Sequence, residues 1–189
     1  MIRSLCVLIF KLSGWRYIED IPKDLKSFVM IGAPHTANYD FIPAMAIAAL
    51  MKRKSKFVIK SEWLKFPLNL VMKPAGAIGI DRETIKIQKG SSTDAMANLF
   101  ITIPDLVLMI APEGTRSPNE NWKTGFYYIA QKAKVPIALG FCDYERKIAG
   151  IGKVIYPTDF ETDIKIISNF YKDYKGSNPD NFKLDRRFS

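Results

Sequence analysis

The sequence predicts a single α/β domain with a mostly parallel or mixed central sheet flanked by helices. Two observations favour this class. Short apolar segments alternate along the chain with longer amphipathic ones, and most of the short segments are rich in Val, Ile or Leu on both faces. The length of 189 residues fits one domain with a sizeable buried core.

Six short apolar segments are predicted to form the strands of this sheet, and they cover residues 28–33, 56–60, 77–81, 106–111, 136–141 and 153–156. Five amphipathic segments are predicted as helices, over residues 40–53, 62–71, 92–102, 124–134 and 160–174. The first of these helices is expected to begin near Tyr39 or Asp40, because Pro43 is tolerated only in a first turn. The last follows Thr158 or Asp159, which are suitable N-caps.

The N-terminal sequence MIRSLCVLIFKLSGWRY, residues 1–17, is predicted to form a short amphipathic helix on a membrane surface, ahead of a domain over residues 18–189. Its apolar residues recur at roughly helical spacing, with basic residues between them: Ile2, Leu5, Cys6, Ile9 and Leu12, and Arg3, Lys11 and Arg16. Lying flat, the helix would bury Leu5 and its apolar neighbours in lipid while Arg3 reaches lipid phosphates. A helix packed on the domain's own core is the alternative.

No segment reaches the ~20 apolar residues of a membrane span, and no small-residue cleavage site follows the N-terminal apolar run. The expected location is therefore the cytoplasm, peripheral at the inner face of the membrane. With only 27 residues before the first strand, membrane attachment is expected to be superficial.

The chain is basic, with 28 Lys and Arg against 19 Asp and Glu and a formal charge of +9. This charge favours a negative partner, namely nucleic acid, anionic lipid or a phosphorylated substrate. A nucleic-acid partner is not expected, because the basic residues are dispersed and their one cluster, residues 52–56, suits a helix end followed by a strand. The two cysteines, Cys6 and Cys142, lack the spacing of a disulfide framework or a metal site.

His35 is the only histidine and lies in a loop directly after an apolar strand, where α/β domains place their sites. Asp40 follows five residues later in HTANYD, and a carboxylate that holds one imidazole nitrogen leaves the other as a base. The two side chains can meet only if the loop curls back before the helix, which Pro34 and Pro43 favour. Two alternatives stay open: an ordinary loop histidine, and an Asp40 that only caps the helix.

The segment APEGTRSPNENW, residues 111–122, brings a second strand end into a polar loop. Gly114 permits a tight turn with exposed N–H groups, and Arg116 offers a planar fork that suits phosphate oxygens. The alternative is a polar loop in which Arg116 pairs with Glu113. Lys60 and Arg82 also follow strands, so these cations are expected to converge around His35 at one edge of the sheet.

Four motifs in order, HTANYD, AIGIDRE, PEGTRS and VPIALGF, resemble those of the glycerolipid acyltransferases, in particular the lysophosphatidic acid acyltransferase type. The resemblance covers about residues 28–141 of the chain. It implies His35 as general base with Asp40 as its partner. It also implies a substrate-binding set that comprises Lys60, Arg82, Glu113, Gly114, Thr115, Arg116 and Pro136, the last on the acyl-binding side.

The implied reaction moves a fatty acyl group from acyl-CoA or acyl-carrier protein to a hydroxyl of a lysolipid such as 1-acyl-glycerol-3-phosphate. The implied partners are an anionic membrane surface, the lysolipid acceptor and a possible acyl-carrier protein, with no cofactor beyond the donor and no metal. No G-x-S-x-G elbow is present, so direct attack in a ternary complex is expected rather than a covalent intermediate. Alternatives are an amino-acid lipid or glycolipid acceptor, and a non-catalytic lipid-binding or nucleic-acid-binding protein.

Overall fold

The computed structural model describes residues 2–80 and 91–187, and these residues form one α/β domain. Its seven strands are β1 (Arg16–Glu19), β2 (Phe28–Ala33), β3 (Lys54–Lys60), β4 (Ala77–Ile80), β5 (Leu106–Ile110), β6 (Ile137–Asp143) and β7 (Ile148–Ile155). Its helices are α1 (Ile2–Leu12), α2 (Phe41–Leu50), α3 (Asn69–Ala75), α4 (Ser92–Thr102), α5 (Gly125–Ala133) and α6 (Phe160–Tyr171). Short 3-10 helices span Asn38–Asp40, Ser61–Leu64 and Pro179–Asn181.

The strands form one mixed sheet in the order β1-β7-β6-β2-β5-β3-β4. All neighbouring pairs are parallel except β6 and β7, which are antiparallel. Five strands, β2 to β6, therefore run in one direction, and the edge at which they end is called the carboxyl edge below. Loops that follow these strands meet there, as they do in other open α/β sheets.

The sheet has a hydrophobic core on each face, because successive side chains of a strand point to opposite sides. Val29 and Ile31 of β2 pack in the core beneath α5 and α6, whereas Phe28 and Met30 pack in the core beneath α1 and α2. The central strands β2, β5 and β6 are buried along almost their whole length. The prediction of a sheet covered on both faces is confirmed.

Helices α4, α5 and α6 lie within a few residues of their predicted bounds, and Asp159 caps α6 by accepting the Thr162 N–H at 2.9 Å. The prediction of one helix over residues 62–71 is wrong. A 3-10 helix occupies Ser61–Leu64 and α3 begins only at Asn69. Pro67 explains the break, since it lacks a backbone N–H and restricts the residue before it.

Strand β1 was not predicted, and β7 is longer than predicted. Gly150 connects the two findings: a Cβ atom there would lie 1.7 Å from the Ile18 carbonyl oxygen of β1. The glycine thus permits the close approach of β1 and β7, where it would ordinarily indicate a turn.

Helix α1 packs on α2 and buries Cys6 and Phe10 in the core, while its outer face stays exposed. The Arg3 guanidinium donates hydrogen bonds to the carbonyl oxygens of Ser55, at 2.7 Å, and Ala75, at 2.8 Å. The expectation that Arg3 reaches lipid phosphates is therefore wrong. Within the described residues, every helix is too short or too polar to cross a bilayer.

Candidate active site

His35 lies at the carboxyl edge, two residues after the end of β2. Its backbone N–H donates to Glu113 Oε1 at 2.8 Å, which joins the loop after β2 to the loop after β5. Its side chain is 28% exposed. The imidazole is therefore accessible to a substrate while its backbone is held.

Asp40 faces His35, as the HTANYD spacing predicts. His35 Nδ1 lies 3.4 Å from Asp40 Oδ2, and the same oxygen accepts the backbone N–H groups of Thr36 at 2.7 Å and Ala37 at 2.8 Å. Tyr144 donates its hydroxyl proton to Asp40 Oδ1 at 2.7 Å. The Asp40 side chain makes no capping bond to α2, so it holds the loop and the imidazole instead of the helix end.

The buried Asp40 carboxyl has a lowered pKa. Burial by itself raises the pKa, but hydrogen bonds from His35, Tyr144 and the two backbone amides outweigh it. A carboxylate opposite Nδ1 favours the tautomer with its proton on Nδ1. Nε2 is then left to accept a proton from a substrate.

Glu113 is 2% exposed, and burial, with a smaller contribution from Asp40, raises its pKa to about 8. Its carboxyl group accepts the His35 backbone N–H, which holds the side chain beside the candidate base. The alternative in which Arg116 pairs with Glu113 is wrong. Among the described residues, no acidic side chain pairs with Arg116.

The loop after β5 is tightly folded around Gly114, which has a positive φ of 68°. The Gly114 N–H donates to the Ala111 carbonyl oxygen at 3.2 Å, and the Asn119 side-chain amide donates to the Glu113 carbonyl oxygen at 2.7 Å. Thr115 and Arg116 are exposed at the outside of this turn. The structure thus brings this loop to His35 and leaves Arg116 accessible.

The other predicted site residues lie apart from this centre or outside the described part of the chain. Lys60 ends β3 at the carboxyl edge, where its backbone pairs with that of Ile80; its side chain lies outside the described part. Two strand spacings, about 10 Å, separate β3 from β2. Arg82 lies outside the described residues.

Pro136 is not brought to the site. Its carbonyl oxygen accepts the Val29 N–H at 3.0 Å, near the start of β2 and thus at the opposite edge from His35. The reason is topological: the chain enters β6 at Pro136, whereas it leaves β2 at His35. We therefore leave Pro136 out of the candidate site.

Sequence reasoning missed two polar groups around Asp40, the hydroxyls of Tyr144 and Ser177. Tyr144 follows β6 and thus shares the carboxyl edge, a position that strand order alone would have indicated. Burial, and next the hydrogen bond to Asp40, raise the pKa of Tyr144 far above its usual value. Ser177 Oγ lies 3.4 Å from Asp40 Oδ1 and 3.0 Å from Thr36 Oγ1, in a segment whose composition indicates only a turn.

Comparison with known proteins shows the family of the chain. A family model described as Acyltransferase matches residues 16–138. The chain belongs to the acyltransferase family. No curated protein and no solved structure matches the chain significantly.

The acyltransferase match runs from the start of β1 into β6. It includes His35, Asp40 and the loop after β5, but it ends before Tyr144 and Ser177. Two of the groups that hold Asp40 thus lie in the part of this acyltransferase that follows the match. Within the described residues, no cluster of three His, Cys, Asp or Glu side chains is placed to hold a metal ion.

Proposed function

We propose that this acyltransferase moves a fatty acyl group from an acyl-thioester to a hydroxyl of a lysolipid such as 1-acyl-glycerol-3-phosphate. The observation that carries the proposal is the His35–Asp40 pair, with Nδ1 3.4 Å from Oδ2 and the imidazole open at the carboxyl edge. An imidazole held in this way is suited to deprotonate an alcohol.

The chemistry needs one base. His35 Nε2 takes the proton of the acceptor hydroxyl while the hydroxyl oxygen attacks the thioester carbonyl carbon. The tetrahedral intermediate then collapses, the carbon–sulfur bond breaks, and the leaving thiolate takes the proton from the imidazolium. Asp40 acts as a positioning residue that stabilises the transient imidazolium charge.

The loop after β5 stabilises the negative charges that take part in the reaction. Among the described residues, the backbone N–H groups of Thr115 and Arg116 have no hydrogen-bond partner, so they are suited to stabilise the oxyanion. The Arg116 guanidinium binds the phosphate of the acceptor. Lys60, at the end of β3, and Arg82 add positive charge to the acceptor side.

The acyltransferase acts at the cytoplasmic surface of an anionic membrane. Three residues on the outer face of α1, Leu5, Leu8 and Leu12, are more than half exposed. The end of this helix lies near the site, because Trp15 contacts the ring of Tyr144 with centroids 4.8 Å apart. Phe66 is 80% exposed in the segment that follows β3 at the carboxyl edge. These apolar side chains suit the headgroup boundary of a bilayer.

An acyl-transfer assay tests the proposal. Purified protein is given a panel of phosphorylated and non-phosphorylated lysolipids with acyl-CoA and with acyl-carrier protein. We expect transfer to a phosphorylated lysolipid, and we expect His35→Ala to lower the rate by roughly 10²–10⁴-fold. His35→Gln, which keeps a polar side chain in the loop, serves as the check on folding and is expected to be equally slow.

Two results would contradict the proposal. The absence of transfer with every donor and acceptor would remove the assigned activity. A His35→Ala protein that keeps more than a few per cent of the wild-type rate would remove the assigned base.

A further inference from the structure

A cleft of about 400 Å³ lies beside the candidate active site and does not include His35. Four cations line it, Lys172, Lys175, Lys183 and Arg186, together with one carboxylate, Glu120. All four cationic residues are exposed, and no described acidic side chain pairs with any of them. The balance of four positive charges and one negative gives this basic cleft a net positive charge, which favours an anion.

The shape of the basic cleft favours a small molecule that carries phosphates. Its lining includes the rings of Tyr174 and Phe182 and the side chain of Leu184, all partly buried. Aromatic walls with a rim of cations fit the flat base and the phosphate groups of a nucleotide. The volume lies within the usual range of small-ligand pockets, about 300–1,000 Å³.

The basic cleft and the His35 loop share a wall. Gly176 lines the cleft, and a Cβ atom there would lie 2.7 Å from Thr36 Oγ1 and 3.1 Å from Pro34 Cβ. These two residues flank His35 in the chain. On the other side, the Arg186 N–H donates to the carbonyl oxygen of Glu120, in the loop that also carries Glu113.

Most of the basic cleft comes from the segment after α6, whereas the cations assigned to the acceptor belong to β3 and to the loop after β5. Arg116 follows β5 and Lys60 ends β3, and both strands lie on one side of β2. The segment after α6 meets the carboxyl edge on the other side, at β6, where the Tyr144 N–H donates to the Lys175 carbonyl oxygen at 2.9 Å. The four cations of the basic cleft thus come from a different part of the chain than Arg116 and Lys60, and the two parts meet at Glu120.

We infer that the basic cleft binds the nucleotide end of a coenzyme A thioester. This inference rests on the proposed function, which needs a thioester at His35. Coenzyme A joins its thiol to an adenosine nucleotide with three phosphates through a long flexible arm. A phosphate site next to His35 but apart from it suits a donor of that shape. A carrier protein would offer a folded acidic surface, which fits a cleft of about 400 Å³ less well than a nucleotide does.

Calorimetry with free coenzyme A tests the inference without requiring turnover. The test variant is Lys183→Glu with Arg186→Glu, and the matched control is Lys23→Glu with Lys26→Glu. The control makes the same change in net charge at exposed positions before β2, at the opposite edge of the sheet. We expect the Kd for coenzyme A to rise at least tenfold in the test variant and less than twofold in the control.

Kinetics give a second measurement. The test variant is expected to raise KM for acyl-CoA at least tenfold and to leave KM for the lysolipid and kcat within twofold. Adenosine 3′,5′-bisphosphate is expected to inhibit the wild-type protein competitively against acyl-CoA and not against the lysolipid. This inhibition needs no variant, so it tests for a site for the nucleotide end even if the double substitution lowers the melting temperature, and its absence would overturn the inference.

The results of these experiments test the inference about the cleft and the proposed acyl transfer separately. Wild-type protein that does not bind coenzyme A, or acyl transfer from carrier protein alone, overturns the inference. Coenzyme A binding that charge reversal leaves unchanged also overturns it and leaves the proposed function standing. Weakened binding in the test variant of a protein that transfers no acyl group supports the cleft and overturns the proposed function.

Discussion

Tyr144 is the residue whose contribution to the site can be measured most directly. Its hydroxyl bond to Asp40 Oδ1 and its ring contact with Trp15 place it between α1 and the candidate base. Tyr144→Phe removes the hydrogen bond and keeps the ring. We expect kcat to fall about tenfold with KM nearly unchanged, because the loss of one hydrogen bond to a charged group costs about 1.5–3 kcal/mol, part of which water restores.

Tyr156→Phe is the matched control, since Tyr156 is 64% exposed on the chain after β7. Its kcat is expected to equal that of the wild type. A Tyr144→Phe protein with wild-type kcat, or one in which kcat falls only as far as the melting temperature predicts, would show that Tyr144 has a structural role alone.

The raised pKa of Glu113 predicts that the stability of the protein depends on pH. Its pKa is about 8 in the folded chain against 4.5 in an exposed reference, so between these values the native state binds one proton more than the unfolded state. The free energy of unfolding therefore falls as pH rises through this window, by up to about 1.4 kcal/mol per unit. Asp40, with its lowered pKa, acts in the opposite direction, and only at more acidic pH.

Glu113→Gln keeps an oxygen for the His35 N–H but cannot ionise. Urea unfolding at several pH values between 5 and 8.5 is expected to show a flatter slope for the variant, which gains stability relative to the wild type as pH rises. Parallel slopes for the two proteins would mean that Glu113 is ionised throughout this range.

The pairing of His35 with Asp40 could be predicted because both residues lie within one six-residue stretch, between two prolines that restrict the loop. Tyr144 and Ser177 could not be predicted in the same way. They reach Asp40 across 104 and 137 positions of the chain. Only the packing of β6 and of the segment after α6 brings them there.

Among the strands, the contact between β1 and β7 is the most sensitive to a single methyl group. Gly150→Ala would place a Cβ atom 1.7 Å from the Ile18 carbonyl oxygen, which belongs to the backbone and cannot rotate away. We expect a loss of stability of ~1–3 kcal/mol or more, as for other overpacked sites. The urea midpoint measures this loss.

Gly32→Ala in β2 is the matched control, since nothing lies within 4 Å of a Cβ atom at that position. It is expected to change the urea midpoint only slightly. Equal losses at the two positions would mean that glycine itself, rather than the close approach of β1, sets the stability of these strands.

The same contact explains why the predicted strands were incomplete. Apolar segments such as residues 28–33 and 106–111 indicate buried strands plainly. The sequence of β1, RYIE, is mostly exposed at the edge of the sheet, and Gly150 and Gly152 obscure the start of β7. An edge strand carries little apolar signal, so its partner has to be known before it is recognised.

At the scale of the whole molecule, the order of the strands in the sheet brings the site residues together. The hydrophobic periodicity of the sequence does not predict that order. The apolar pattern predicts six strands, but the adjacency of β2 with β5 and β6 comes from packing. This adjacency places His35 beside Glu113 and Tyr144. Pro136 is close to Phe141 in sequence, but it lies at the edge of the sheet opposite to His35, because it stands at the start of β6.

The membrane surface proposed for α1 also has to be tested on the folded molecule. Deletion of the helix is a poor test, because it removes buried Phe10 and the bonds of Arg3 to the Ser55 and Ala75 carbonyl oxygens. A truncated protein is expected to lose stability and both kinds of activity. A single substitution on the exposed face avoids this difficulty.

Leu12→Gln provides that substitution, and Ile101→Gln is its matched control. Leu12 is 79% exposed at the end of α1, and Ile101 is 81% exposed on α4, which covers the opposite face of the sheet. Each change replaces an exposed apolar side chain of similar size by a polar one, so neither should lower the melting temperature. Sedimentation with anionic vesicles measures binding.

We expect Leu12→Gln to weaken vesicle binding roughly five- to twentyfold, because burial of a leucine side chain contributes about 1.5–3 kcal/mol when complete, and Ile101→Gln to leave it unchanged. Transfer to a vesicle-embedded acceptor should fall in parallel for Leu12→Gln, while transfer to a short-chain soluble acceptor should not. Higher salt should weaken wild-type binding without abolishing it, since screening acts on charges and not on the apolar face. Equal loss in both variants, or none in either, would assign the membrane contact to a surface other than α1.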